Sequence, residues 1–217
     1  MLLRALADRV SGAAISTHRR LRPRTFSLAG TPYPYFVHRY NQTWRNERTV
    51  EIPIALRQLD RHVGGRVLEV GNVLWHYGRR GHDVVDKYES VPGVINADIV
   101  EMKTDRRYDL ILTISTLEHV GFDEEQRDVD KPRRAVEQMA GMLAPGGSLL
   151  VTVPLGYNES LDTQLHEDAL GFDDLRFLKR ISADNRWREV SAAEVERVAY
   201  GHPFRWANGL AVGVRRG

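Results

Sequence analysis

Five small or polar residues stand where apolar stretches of the chain end. Glu69 and Gly71 close the first stretch, and Asp86 closes a second one seventeen residues after Glu69. Asp98 follows a third stretch and Ser115 a fourth. Carboxylates accept hydrogen bonds from hydroxyl and amino groups, and glycine lets the backbone approach a ligand because it has no Cβ. The pattern predicts a polar ligand bound along the ends of several strands.

Two histidines are candidates for proton transfer. His119 follows Glu118 just after Ser115, and His166 lies between a leucine and a glutamate. A neutral imidazole can accept a proton from a hydroxyl group near pH 7, so His119 is the first candidate for a general base and His166 the second. A merely structural or solvated role is the alternative for each.

The histidines and the missing cysteines also bear on metals. The eight histidines are scattered without ligand spacing, and the chain has no cysteine. Thiolate metal sites, disulfides and a cysteine nucleophile are therefore excluded, and we expect no metal centre.

Apolar runs alternate with helical patterns from residue 66 onward. A helix is expected over residues 131–143, with residues 144–147 ending it, and another over residues 192–199. Strand candidates lie at residues 67–70, 83–86, 94–96, 109–114, 148–153, 175–181 and 210–214. Strand and helix alternating in this way predict an α/β fold with a doubly wound sheet, whose ligands bind at the carboxyl ends of the strands.

The first 60 residues have a different character, so we expect two parts: an amino-terminal segment at 1–60 and the main domain at 61–217. A helix is expected over residues 1–22, while Pro32 and Pro34 favour extended backbone after it. Trp44 and Arg48 mix an aromatic ring with a hydrogen-bonding fork, which favours a lid or the wall of a substrate site. Packing of this segment on the sheet edge is an equal alternative.

Composition bounds the class of protein. The chain has 217 residues, 28% charged and 42% hydrophobic, with a formal net charge of +2. These values are typical of a globular protein and do not indicate a nucleic-acid partner. No apolar run approaches the ~20 residues that span a bilayer, and charges interrupt the start, unlike a secretory signal. We expect a cytoplasmic protein, which the absence of cysteine also fits.

The combined motifs resemble the class I S-adenosylmethionine-dependent methyltransferases. The resemblance covers roughly residues 60–157 and is most specific in the Glu118-His119 stretch and in the Leu-Ala-Pro-Gly-Gly at 143–147. The family's fold implies a Rossmann-like seven-stranded sheet with an antiparallel last strand, in three layers, α/β/α. Residues 210–214 fit that last strand.

The resemblance also implies roles for the residues at the strand ends. Glu69 and Gly71 would lie against the methionine part of S-adenosylmethionine, and Asp86 would bind the ribose hydroxyls. Asp98 would face the adenine ring, and Ser115 would pass beside the sulfonium centre.

The chain departs from the family pattern directly after Gly71. The usual further glycines are replaced by Asn72 and then by the bulky Trp75, His76 and Tyr77. Asn72 could replace one glycine in the cofactor loop by adopting a left-handed conformation. The bulky residues would cover the ligand or shape the acceptor pocket, and we count Trp75 as a substrate-binding candidate. Tyr157, after the fifth strand, is another.

Three functions compete. The first is O-methylation of a small-molecule or glycan-type hydroxyl with S-adenosylmethionine as cofactor. The second is a non-catalytic module that binds S-adenosylmethionine or a nucleotide, which the altered loop motivates. The third, a nicotinamide-dependent oxidoreductase, is disfavoured because the Gly-x-Gly-x-x-Gly turn is missing.

Overall fold

The computed structural model describes residues 25–217, and the helix expected over residues 1–22 lies outside them. The described chain begins with an antiparallel hairpin of β1 (Thr25–Leu28) and β2 (Thr31–Pro34). Pro32 and Pro34 hold β2 extended, as the sequence predicts.

A mixed sheet of eight strands forms the centre of the protein. Its strands are β3 (Val67–Val70), β4 (Asp83–Asp86), β5 (Val94–Asn96), β6 (Tyr108–Ile114), β7 (Leu143–Pro154), β8 (Asp174–Arg180), β9 (Trp187–Val190) and β10 (Gly209–Arg216). They are ordered β5-β4-β3-β6-β7-β10-β8-β9. Strands β3 to β7 run parallel, and β10 is antiparallel to both neighbours. The Rossmann-like fold with an antiparallel last strand is confirmed, with β9 at the edge as an eighth strand.

The fifth parallel strand is longer than the sequence predicts. Strand β7 pairs with β6 from Leu143 onward, and the register shifts before Ser148, which pairs with Leu110. The Ala-Pro-Gly-Gly stretch at 144–147 is therefore an irregularity inside the strand, not the linker before it.

Within residues 25–217, three α-helices cover the two faces of the sheet. Helix α1 (Arg48–Arg61) packs Val50, Ile52 and Ile54 into one apolar core, together with Leu110 and Leu112 of β6. The opposite core is built from α2 (Lys131–Gly141) and α3 (Glu159–His166), the first with Ala135, Val136 and Met139 facing inward. Apolar side chains on both faces of β6 explain why its sequence is almost continuously apolar. The three-layer α/β/α arrangement is confirmed.

Other connections hold less helix than the pattern indicates. Only a 3₁₀ turn at Leu74–Tyr77 connects β3 to β4. The helix expected over residues 192–199 is wrong, because only Ala192–Glu194 forms a 3₁₀ turn there. No helix within residues 25–217 is both long and apolar enough to cross a membrane.

Candidate active site

Two cavities open at the carboxyl edge of the parallel strands, where ligands of such sheets bind. The larger one, which we call the strand-end cavity, has a volume of about 380 Å³ and the smaller one, the acidic cavity, about 160 Å³. The strand-end cavity is lined by residues of the β3, β4, β5 and β6 ends, including Gly71, Asn72, Asp86, Asp98 and Thr116. His119 lines both cavities. A group bound in one can therefore meet a group bound in the other beside this histidine.

The turn after β3 requires glycine at position 71. Gly71 has a φ of +85°, and a Cβ added there would lie 2.2 Å from Thr116 Oγ1. Its N–H donates to the Val85 carbonyl at 2.8 Å, which ties the turn to β4. The left-handed backbone and the close approach of Thr116 both exclude a larger residue.

Glu69 supports the loop that follows this turn. Its carboxylate is fully buried and accepts hydrogen bonds from the Val73 and Leu74 N–H groups at 3.0 and 2.7 Å. His82 Nε2 lies 2.8 Å from the other carboxylate oxygen. Glu69 does not line the strand-end cavity, so it acts on the loop beneath the cavity. The sequence pattern gave no signal for His82 as its partner.

Asn72 does not replace a glycine in the way the sequence suggested. It has no positive φ, so the expected left-handed conformation is wrong. The bulky loop is held by the Glu69 carboxylate, and Gly78, with φ +78°, ends its 3₁₀ turn. Asn72 N–H donates to Asp86 Oδ2 at 3.3 Å, while its own Oδ1 is buried without a partner.

Asp86 is fixed at the end of β4 by the turn that follows. Its Oδ1 accepts hydrogen bonds from the Tyr88 and Glu89 N–H groups, both at 2.8 Å. Its Oδ2 has only the long bond from Asn72. One carboxylate oxygen thus holds the side chain in place, and the other can accept hydrogen bonds from a ligand.

Asp98 lies in a network of ion pairs that the sequence did not reveal. Its Oδ2 lies 2.7 Å from Lys131 Nζ and 3.0 Å from Lys87 Nζ. Both ammonium groups also contact Glu124. Burial alone would raise the pKa of Asp98, but the hydrogen bonds from Lys131 and Lys87 outweigh it and lower that pKa. Asp98 is therefore held ionised at the rim of the strand-end cavity.

Apolar side chains complete this cavity. Val70, Val85, Ala97, Ile99 and Val120 line it between Asp86 and Asp98. This lining suits a flat ring whose polar edges reach the carboxylates.

His119 is oriented by a carboxylate one helical turn away. Its Nδ1 lies 2.5 Å from Asp123 Oδ2, and the Tyr157 hydroxyl donates to the same oxygen at 2.8 Å. Burial alone would raise the pKa of Asp123, but the hydrogen bonds from His119 and Tyr157 outweigh it and lower that pKa. The ionised Asp123 holds the proton on Nδ1, which leaves Nε2 as the basic nitrogen.

The acidic cavity contains buried charges, and among them Arg48 is the substrate-binding candidate that the sequence predicts. Glu47, Arg48 and Glu118 line it, and Glu51 lies behind them. Arg48 Nη1 donates to Glu51 Oε2 at 2.6 Å. The other Glu51 oxygen accepts from the hydroxyls of Ser115 and Thr152 at 2.6 and 2.7 Å. Ser115 therefore faces this cavity and does not line the strand-end cavity.

Glu118 lies beside His119, and its Oε1 is 3.6 Å from His119 Nε2. It is 2% exposed, and its Oε2 has no hydrogen-bond partner. Burial raises the pKa of Glu118 well above its usual range, and Glu51 and Glu47 add to the effect while Arg48 opposes it. Glu118 is a carboxyl group that holds its proton more tightly than usual at the wall of the cavity.

The remaining sequence candidates divide into two groups. Arg48 and Tyr157 line the acidic cavity. Trp44 and Trp75 line neither cavity; Trp75 packs under Gly93 and against Arg80 instead. His166 stacks on Phe177 of β8 with ring centroids 5.5 Å apart, so the fold does not bring it to the site.

The part of the chain from residue 25 onward contains no group of three or more His, Asp or Glu side chains placed to hold a metal ion.

No protein-family model and no curated protein match the chain. Solved structures are similar to it at low identity. A SAM-dependent methyltransferase from Archaeoglobus fulgidus is 13% identical, with 82% of this chain and 98% of that chain covered and a TM-score of 0.47. The N-methyltransferase NodS from Bradyrhizobium japonicum, in complex with S-adenosyl-L-homocysteine, is 16% identical, with 76% and 91% covered and a TM-score of 0.43. CalS10, a SAM-bound amino pentose methyltransferase from Micromonospora echinaspora, is 21% identical, with 54% and 56% covered and a TM-score of 0.36. All three are methyltransferases, the class of enzyme that the sequence motifs of this chain resemble.

Proposed function

We propose that this protein is an S-adenosylmethionine-dependent methyltransferase that methylates a hydroxyl of a small-molecule or glycan-type acceptor. One observation carries the proposal: the strand-end cavity and the acidic cavity both include His119. The first is lined by Gly71, Asn72, Asp86 and Asp98, four of the six residues expected for an adenosine cofactor, and the second has hydrogen-bonding groups for an acceptor. The shared histidine stands where methyl donor and acceptor would meet.

The residues of the strand-end cavity fit the cofactor. Asp86 Oδ2 can accept hydrogen bonds from ribose hydroxyls, and the buried, unpaired Asn72 Oδ1 is a second acceptor on the same wall. The apolar side chains between Asp86 and Asp98 suit an adenine ring, and the Asp98 carboxylate can accept from its amino group. The tight turn at Gly71 lets backbone approach the methionine end.

The chain's own residues then have defined tasks in the chemistry. When bound, S-adenosylmethionine supplies an activated methyl group on a neutral leaving group. His119 Nε2 takes the proton from the acceptor hydroxyl, and Asp123 stabilises the charge that forms on the ring. Arg48 and Glu118 orient the acceptor by hydrogen bonds. Holding the acceptor oxygen in line with the methyl group lowers the activation barrier by several kcal/mol.

The amino-terminal segment, residues 1–60, serves in this proposal as the acceptor wall of a methyltransferase domain at 61–217. Asn41, Asn46, Glu47 and Arg48 of the segment's described part line the acidic cavity. Packing of α1 in the core of the sheet gives that wall a rigid base.

A screen for methyl transfer tests the proposal. The full chain is incubated with methyl-labelled S-adenosylmethionine and a panel of hydroxylated acceptors, with His119→Ala as the matched inactive variant. Label transferred by the native chain, and lost in the variant, supports an O-methyltransferase. Binding of the cofactor with no transfer to any acceptor favours the non-catalytic module instead.

A further inference from the structure

A third cavity of about 530 Å³ adjoins the acidic cavity, and we call it the arginine cavity. Asn41 and Trp206 line both, so the two spaces are neighbours. Its lining consists of Arg39, Asn41, Gln42, Arg45, Arg205 and Trp206, without any carboxylate. The whole chain has a net charge of only +2, so this is a local concentration of positive charge.

Two of the arginines in this lining have no carboxylate partner among the described residues. Arg45 and Arg205 are exposed and form no ion pair with any residue of the described chain. Arginines elsewhere divide: Arg133, Arg134 and Arg188 are each paired with a carboxylate, whereas the exposed Arg61 and Arg107 are not. An anion bound in the arginine cavity would face the Arg45 and Arg205 guanidinium groups, which no carboxylate of residues 25–217 neutralises.

Buried groups hold the two arginine-bearing segments together. The Arg180 guanidinium donates to the carbonyls of Arg45 and Arg205 at 3.3 and 2.8 Å. Asn208 Nδ2 donates to the Trp206 carbonyl at 3.1 Å. These hydrogen bonds fix the backbone at residues 45 and 205 relative to each other, although the two residues are far apart in the chain.

The backbone of this cavity is strained in three places. Asn41, Gln42 and Trp206 have positive φ angles of 54°, 46° and 75°. Such conformations are strained for residues that carry a side chain, and they cluster at ligand sites. Their concentration around one cavity marks it as a place shaped for a ligand.

We infer that the acceptor is a phosphorylated sugar, with its reactive hydroxyl in the acidic cavity and its phosphate on Arg45 and Arg205. This inference rests on the proposed methyltransferase function. Guanidinium groups bind phosphate through paired hydrogen bonds. Carboxyl groups, an amide and the Arg48 fork in the acidic cavity offer partners for several hydroxyls. Trp206 lies between the two cavities, and the Arg205 guanidinium lies over its ring at 4.8 Å from the centroid.

Calorimetry on the full chain saturated with S-adenosylhomocysteine tests the inference. Sugar phosphates are titrated against their unphosphorylated counterparts, with glucose 6-phosphate, mannose 6-phosphate and UDP-glucose as probes and glucuronate as a carboxylate analogue. At least one phosphorylated probe is expected to bind tenfold or more tightly than its neutral counterpart and than glucuronate. The combined Arg45→Ala and Arg205→Ala variant should abolish that preference. Arg107→Ala, which removes an exposed arginine at the opposite edge of the sheet, should retain it.

Each failure has its own meaning. Loss of the preference when only Arg107 is changed, or its survival in the double variant, overturns the assignment of the phosphate to this cavity. A chain that binds S-adenosylhomocysteine but no phosphorylated probe better than its neutral counterpart overturns the inference alone. Tighter binding of glucuronate overturns phosphate as the anion. No binding of S-adenosylhomocysteine overturns the proposed function itself.

Discussion

The strand-end cavity and the acidic cavity lie side by side but are built differently. The first is formed by short turns directly after consecutive parallel strands, and its charged residues lie at the rim. The second draws on residues 41–48, on the end of β6, and on Tyr200 and Trp206 near the carboxyl terminus, and it contains buried acids. Topology positions the first cavity, whereas side-chain pairing across distant segments positions the second.

This difference separates what is general from what is particular to the protein. A cofactor shared by many enzymes can be held by strand ends that any sheet of this type provides. An acceptor must be selected by groups that only this chain has. In the proposed function, the paired Arg48 and Glu51 and the buried Glu118 are such groups. Substitutions in the strand-end cavity should therefore change cofactor affinity, whereas substitutions in the acidic cavity should change turnover.

The largest expected effect is on turnover, at the point where the cavities meet. His119→Ala should lower kcat by about 10²–10⁴-fold, because the acceptor loses its base, while the affinity for S-adenosylhomocysteine changes little. Labelled methyl transfer and calorimetry measure the two quantities. His166→Ala should change neither, since that ring stacks on Phe177 away from both cavities. Equal losses of kcat in the His119 and His166 variants would contradict the assignment of turnover to the place where the two cavities meet.

Gly71→Ala should disrupt the strand-end cavity specifically. The added methyl group would lie 2.2 Å from Thr116 Oγ1, so the turn must shift, and we expect S-adenosylhomocysteine affinity to fall about 100-fold. Gly78→Ala is the matched control, because Gly78 also has a positive φ but nothing within 4 Å of its added Cβ. Calorimetry should show near-native affinity for that control. Similar affinities in both variants would mean that the Thr116 contact is unimportant.

Asp86→Ala should weaken S-adenosylhomocysteine binding by about 1–3 kcal/mol, as expected for lost hydrogen bonds to a charged group. The exposed Asp105→Ala provides a control of equal charge change. Unchanged affinity in the Asp86 variant would remove this residue from the cofactor site.

The smallest effect concerns stability on the acidic side. Burial raises the pKa of Glu118 in the folded protein above its value in the unfolded chain. Its contribution to stability is therefore complete at pH values below the unfolded pKa and is lost as the pH rises through the folded pKa. Glu118→Gln keeps a neutral side chain at every pH, so its stability relative to the native chain should increase with pH, by about 1 kcal/mol at pH 8. Thermal unfolding at several pH values from 4 to 8 measures this. The exposed Glu137→Gln should show no such trend, and a pH-independent Glu118→Gln difference would mean that Glu118 is ionised like a surface acid.

The two cavities also differ in how far the sequence predicts them. The strands that carry Gly71, Asp86 and Asp98 follow from apolar runs, and β3, β4 and β5 lie where those runs predict them. The arrangement of the parallel strands and the antiparallel β10 also agrees with the motif resemblance. These features depend on residues close together in the sequence or are shared by many proteins of the fold class. The sequence pattern therefore predicts them.

The acidic cavity leaves no comparable signal in the sequence, because its contacts join residues that are far apart in the chain. Glu51 meets Ser115 and Thr152, and Arg180 bridges Arg45 and Arg205. Trp44 and Trp75 have the right chemistry for a substrate wall, yet both are turned elsewhere by packing that periodicity does not predict. The arginine cavity likewise joins residues 39–45 to residues 205 and 206.

Calorimetric titration of the native chain with S-adenosylhomocysteine, and in parallel with NAD, tests the central claim most directly. We predict saturable one-to-one binding of S-adenosylhomocysteine, weakened in the Gly71→Ala and Asp86→Ala variants, and no binding of NAD. Binding of NAD without binding of S-adenosylhomocysteine would contradict the assignment of the strand-end cavity, and with it the proposal that this protein is a methyltransferase.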